Sequence, residues 1–215
     1  MATKRILCYG DSNTWGATPG TGARIAEDKR WTGVCQRILG AGYRILEEGL
    51  PGRTTVYEDP CDPVMNGLSA LGYTLCSQKP IDLVVLFLGT NDVKFTNAFG
   101  AASGIDTLLH RIVNANVYYP GSCPVFCGTP KVLLIAPPLI LPEIDKAMPD
   151  SRFTGLAHHS RDFSRLYRLA AEKHGAEFLD AAAIAQPSPV DCLHLDEGAH
   201  AALGAAVADK IRQML

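Results

Sequence analysis

Six consecutive apolar residues, Leu83-Val84-Val85-Leu86-Phe87-Leu88, run between Asp82 and Gly89 without a polar break. A strand with one wet face alternates apolar and polar side chains, so this run predicts a strand over Asp82–Leu88 covered on both faces, as in a parallel sheet. Parallel strands need long crossovers, and the rest of the chain supplies them. Short apolar runs at Ile6–Tyr9, Tyr43–Glu47, Lys131–Ala136 and Glu177–Leu179 read as four further strands. Helical patterns fall between them at Arg30–Leu39, Val64–Ser77, Gly104–Asn116 and Phe153–His174, with a last helix over Glu197–Met214. Alternating strands and helices predict an α/β fold, a three-layer α/β/α sandwich around a five-stranded parallel sheet. The 215 residues suit one domain, 1–215, with no repeat or linker.

A net charge of −2, with no long run of one sign, offers no footprint for nucleic acid or an anionic membrane surface. It points to small or uncharged ligands. No segment approaches the roughly 20 apolar residues of a spanning helix. The apolar run within MATKRILCYG is too short for a signal-peptide core, so the expected location is the cytoplasm. Seven cysteines are an odd number without a C-x-x-C pair. Cys8, Cys35 and Cys76 read as buried small hydrophobes, and Cys123 and Cys127 have no obvious further ligands nearby. No metal is expected.

Polar clusters with chemical potential sit where strands end. Gly10-Asp11-Ser12-Asn13 follows the first strand, Gly49-Leu50-Pro51-Gly52-Arg53 the second and Gly89-Thr90-Asn91-Asp92 the third, with Asp191-Cys192-Leu193-His194 near the C-terminus. In open α/β sheets the crevice outside the carboxyl ends of the strands is the ligand site, so Ser12 is directed at substrate. Each cluster alone could be an ordinary turn or cap. Together they supply a hydroxyl, a base with a carboxylate three residues before it, and amide donors.

These four blocks, with RILCYGDSNTWG, RWTGV, EEGLPGRTT and LGTND, resemble the SGNH hydrolases, also called the GDSL family, and within it the compact microbial arylesterases and acyltransferases. The resemblance covers essentially the whole chain. It implies a flavodoxin-like strand order, a nucleophile at Ser12, its base at His194 and an orienting carboxylate at Asp191. The oxyanion donors would be the amides of Ser12 and Gly52 and the side chain of Asn91. Asn13 departs from the pattern, since the family usually has leucine there. Asp11, Asn13, Trp15, Phe95 and the proline-rich loop after the fourth strand are candidates for the substrate pocket.

The chemistry that follows is a serine esterase working through an acyl-enzyme without a cofactor. The family implies short acyl groups on aryl or carbohydrate alcohols, with acyl transfer to alcohols as an extension. Asp196 and His200 form a second acid and histidine pair, read as a helix cap and a solvated position. His110, His158, His159 and His174 carry no assigned role, and Cys192 reads as packing. Three long loops, Val93–Ala101, Asn116–Thr129 and Leu139–Asp150, are rich in aromatic and aliphatic residues. They read as pocket walls near the active edge or as contacts of a homo-oligomer. A rival reading is a flavodoxin-like phosphate- or flavin-binding module, with Ser12, Asn13, Thr14, Thr18 and Gly20–Gly22 as its cradle.

Overall fold

The structure is a computed structural model that describes residues 3–215; Met1 and Ala2, the start of the N-terminal run read above, lie outside the described residues. Its sheet contains β1 (Lys4–Gly10), β2 (Tyr43–Gly49), β3 (Leu83–Phe87), β4 (Val132–Ala136) and β5 (Glu177–Asp180). All pairings are parallel, in the order β2-β1-β3-β4-β5. This is the flavodoxin-like order, and it reverses direction between β1 and β3, where α/β folds open their binding crevice.

The sheet is covered on both faces, as the unbroken apolar run requires. Ile6, Cys8, Leu83, Val85, Phe87, Leu133 and Ile135 point into one layer, with Trp31 and Cys35 of α2 (Trp31–Leu39) and Leu203, Val207 and Ile211 of α8 (Glu197–Met214). Leu7, Tyr9, Val84, Leu86 and Leu134 point the other way, toward α3 (Gly67–Gln78), α4 (Ala98–Val113) and α7 (Phe163–His174). Alternation along each strand assigns neighbouring residues to opposite layers.

Several helix boundaries differ from the periodicity reading, each for a local reason. The helix expected over Gly104–Asn116 begins at Ala98, because the Asn97 side chain accepts from the amides of Phe99 and Gly100 at 3.0 and 3.4 Å. Its first turns, Ala-Phe-Gly-Ala-Ala-Ser-Gly, are poor in the long apolar residues that mark a helical stripe. The helix expected over Phe153–His174 begins ten residues later. Gly155 lies at φ +77°, and its amide is held by Asp145 Oδ1 at 2.7 Å, which turns the chain before α7 starts. In the Val64–Ser77 segment, Pro63–Met65 forms a 3-10 turn and α3 starts only after Asn66, whose side chain accepts from Ser69 N at 3.1 Å.

The three long loops do not share one location. Val93–Ala101 and Leu139–Asp150 follow β3 and β4, at the edge that carries Ser12. Asn116–Thr129 corrects the reading of a loop near the active edge: it follows α4, whose crossover has returned the chain to the opposite end. Val125 O accepts there from Ile81 N at 2.7 Å, just before β3. Phe126 and Ile140 are buried in the protein's own core, whereas Phe99, Val117 and Tyr118 stay exposed. Cys8, Cys35 and Cys192 are buried, while Cys123 and Cys127 are exposed.

His200 corrects a second expectation. It is fully buried, and its Nδ1 accepts from Trp31 N at 3.2 Å. Arg30, the residue before α2, offers no side-chain cap, so His200 from α8 supplies the missing acceptor. Burial holds its pKa down at about 4, keeping the ring neutral in that role. Asp196 does cap α8, accepting from Ala199 N at 2.8 Å.

Candidate active site

Register brings the first three blocks to one level. Gly10 at the end of β1 pairs with Gly49 of β2 and Phe87 of β3, so the chains that follow leave the sheet side by side. Beyond Gly10 the chain enters α1 (Ser12–Trp15), a single helical turn, with Asp11 Oδ1 accepting from Asn13 N at 3.0 Å. Only glycine fits at position 10. A Cβ there would lie 2.0 Å from Thr14 Oγ1 and 2.8 Å from Phe87 O. The tight turn therefore sets Ser12 at the sheet edge, 9% exposed.

The fourth block arrives from the loop before α8. His194 Nε2 lies 3.1 Å from Ser12 Oγ, and His194 Nδ1 lies 2.8 Å from Asp191 Oδ2. The Asp191 carboxylate also accepts from Gly20 N at 2.9 Å, Leu193 N at 3.1 Å and His194 N at 2.9 Å. Burial alone would raise its pKa, but the bonds from the His194 ring and the His194 and Gly20 amides outweigh it and hold Asp191 at about 2. Cys192 takes the turn between them at φ +62°, a left-handed conformation uncommon for a side-chain-bearing residue. Its Sγ points to Pro189 O and is buried, away from the serine.

Gly52 stands at φ +87°, the region that favours glycine, and Arg53 fixes the loop that carries it. One guanidinium nitrogen donates to Gly10 O at 2.9 Å and to Glu48 O, and the group lies 4.2 Å over the Tyr9 ring. Among the described residues, the amides of Ser12 and Gly52 donate to no turn or side-chain acceptor. Asn91 Nδ2 donates to Arg53 O at 3.2 Å, and an amide nitrogen carries a second hydrogen. Asp92 ties this block to the previous one, accepting from Thr55 N at 3.0 Å and from the Thr55 hydroxyl. Burial raises Asp92 to about 7 and Asp11 to about 6, with the Thr55 and Asn13 bonds opposing it.

The five residues of the four blocks, Ser12, Gly52, Asn91, Asp191 and His194, are thus brought to one edge. The pocket candidates Asp11, Asn13 and Trp15 belong to the same turn as Ser12 or its cap, and Phe95 follows the Asn91 block. Asn13 is 1% exposed and turns toward the backbone on either side of His194. Asp11 is 2% exposed and engaged as the cap of α1. Trp15 is half-buried beneath the Arg24 guanidinium at 5.1 Å. Phe95 stacks on Tyr57, with Arg152 5.2 Å from its ring. A cavity of about 280 Å³ is lined by Leu139 to Pro142 of the loop after β4, together with Asp145, His158 and Arg161. Leu141 N donates to Cys192 O at 3.1 Å, which places that loop against the Asp191–His194 turn.

The supporting roles of Gly20, Arg53 and Asp92 are not legible in the sequence, although each residue lies in one of the four blocks or in the rival cradle. Gly20 belongs to the segment of the rival phosphate cradle. Its amide is instead committed to Asp191. Only their place next to a block residue hinted at these supporting bonds.

The sequence model of the GDSL-like lipase/acylhydrolase family matches residues 8–202. A search of curated proteins finds no significant match. Among solved structures, the aryl esterase of M. smegmatis is 36% identical, with 99% of this chain and 100% of that one covered at a TM-score of 0.88. A carbohydrate acetylesterase from Sinorhizobium meliloti is 33% identical over 99% and 100% of the two chains, also at 0.88. A carbohydrate acetylesterase family member from the same organism is 34% identical over 99% of both, at 0.90. With four blocks converging on one sheet edge and a family match spanning most of its length, the chain belongs to the GDSL-like lipase/acylhydrolase family, the SGNH hydrolases.

Proposed function

We propose that this protein is a serine esterase that cleaves short-chain carboxylic esters, acetyl esters above all, through an acyl-enzyme on Ser12. The observation that carries the reading is the hydrogen-bonded chain from Ser12 Oγ through His194 to Asp191. His194 Nε2 takes the Ser12 proton as Oγ bonds to the ester carbonyl carbon. The C–O bond to the alcohol then breaks, and the same proton passes to the leaving oxygen. Water repeats the sequence on the acyl-serine, releasing the acid and free Ser12.

The negative oxygen formed on the way needs donors aimed at one point, and the Ser12 and Gly52 amides with Asn91 Nδ2 are available. Asn91→Ala is expected to lower kcat by roughly 10² to 10³ with little change in KM. A change confined to KM in steady-state kinetics would make Asn91 a substrate-binding group instead.

The aryl esterase and carbohydrate acetylesterase similarities support aryl and sugar acetates as the substrate classes. The apolar wall Leu139 to Pro142 beside the Asp191–His194 turn supports acyl transfer to alcohols, since such a surface holds an organic acceptor better than water. Exposed Phe99, Val117 and Tyr118 support a homo-oligomer. Seven cysteines, unpaired among the described residues, fit the reducing cytoplasm. No described helix is long and apolar enough to cross a membrane.

The test supplies aryl acetate, aryl propionate and acetylated sugars to the wild-type protein, with benzyl alcohol as competing acceptor, and measures solution mass by light scattering. Acetate preferred over propionate, with benzyl acetate among the products, is expected. Acetate as the sole product removes the transfer activity, and a monomeric mass removes the oligomer. No turnover of any ester overturns the esterase reading in favour of a binding module.

A further inference from the structure

Asn13 is the residue after the proposed nucleophile, and none of its side chain reaches the open crevice. It is 1% exposed. Its Oδ1 accepts from Leu195 N at 3.0 Å, and its Nδ2 reaches Leu193 O at 3.5 Å. The two contacts fall on the residues immediately before and after His194. They cross a sequence separation of 182 and 180 residues, so they join the helical turn α1 to the loop before α8.

His194 needs such a brace. It lies in the turn between β5 and α8, next to the left-handed backbone at Cys192, and its ring must meet Ser12 and Asp191 together. Asp191 holds the ring and the amide of His194 from the Cys192 side of the turn. Nothing about that bond sets the distance from the turn to α1. Asn13 does so, because it belongs to the same helical turn as Ser12 and grips the backbone flanking the imidazole.

We propose that Asn13 is a positioning residue that sets the Ser12–His194 distance by clasping the backbone on both sides of His194. The proposal rests on the esterase reading. A carboxamide suits the task because it alone among small side chains offers an acceptor to Leu195 N and a donor to Leu193 O in one planar group. Leucine has a similar branched shape and neither polar atom. It fills the space while releasing the clasp.

The experiment compares wild type, Asn13→Leu and Asn13→Asp on an aryl acetate. Circular dichroism and thermal melting follow the fold, and a fluorophosphonate counts reactive serines. Asn13→Leu is expected to lower kcat about 10- to 100-fold with KM within twofold, because a small misplacement of catalytic groups acts on the chemical step. The rate of fluorophosphonate labelling should fall by a similar factor, while the final labelled fraction stays near one. Asn13→Asp keeps the acceptor for Leu195 N and should recover part of the loss.

Wild-type kcat and labelling rate in a folded Asn13→Leu protein overturn the proposal. So does a loss explained wholly by a smaller labelled fraction, which signals partial unfolding. If Asn13→Leu does not fold, Asn13→Asp decides: a kcat equal to wild type at every pH, or a loss carried by KM, overturns the clasp. A wild-type protein that neither turns over ester nor takes the label sinks the esterase reading itself, which is a separate outcome.

Discussion

Ser12→Ala is expected to lower kcat/KM for an aryl acetate by roughly 10⁴ to 10⁶, since the members of a nucleophile and base unit fail together. The loss follows from a single missing atom. His194 Nε2 at 3.1 Å has no other described acceptor chemistry to serve, and the acyl-enzyme has nowhere to form. The remaining activity should still exceed that of water, because the Ser12 and Gly52 amides and Asn91 survive the change. His194→Ala is expected to match it, and the double variant to lose little more. The fold should hold, because removing one hydroxyl at the sheet edge opens no core cavity. Steady-state kinetics with a melting curve checks both parts, and more than a tenth of wild-type activity in either variant would exclude these roles.

Asp191→Asn tests the far end of the same chain of bonds, with an expected loss of about 10³ to 10⁴ in kcat. Asparagine can present its NH₂ to His194 Nδ1, which stabilises the tautomer with its proton on Nε2. That tautomer cannot accept from Ser12. The variant should also change acid stability in a predictable direction. Asp191 is held at about 2 against an ordinary value of 3.8, so the folded protein binds this proton more weakly than the unfolded chain. Its contribution to stability is present above the ordinary carboxylate value and is lost as pH falls through about 2. Urea unfolding at pH 6 should find Asp191→Asn less stable than wild type, and the gap should narrow at pH 3. A constant gap would show that the carboxylate contributes by shape and hydrogen bonding alone.

How legible the protein was in its sequence varied with the range of the interaction. The strand Asp82–Leu88 and its partners could be read because burial on both faces leaves a local mark, an unbroken apolar run. Helix starts were less legible where the deciding contact was a cap, as at Asn97, or a turn, as at Gly155. The loop Asn116–Thr129 was misplaced because aromatic content says nothing about which end of a sheet a crossover returns to. His200 was misread for a related reason. Its position on an amphipathic helix gave no sign that the unfilled start of α2 would take its imidazole.

By itself, the sequence determined the α/β architecture and the family, because periodicity and the four blocks are properties of short stretches of chain. Through the family resemblance that those blocks carry, it also named the residues that gather at the edge bearing Ser12. The tertiary structure alone decided what each polar atom does. Asn13 became a brace on the His194 turn, the Gly20 amide a partner of Asp191, and Arg53 the rivet between the first two blocks. Hydrogen bonds of about 3 Å between residues up to 182 positions apart leave no trace in either local stretch. They exist only once the parallel register has brought the strand ends level and burial has removed water as the alternative partner.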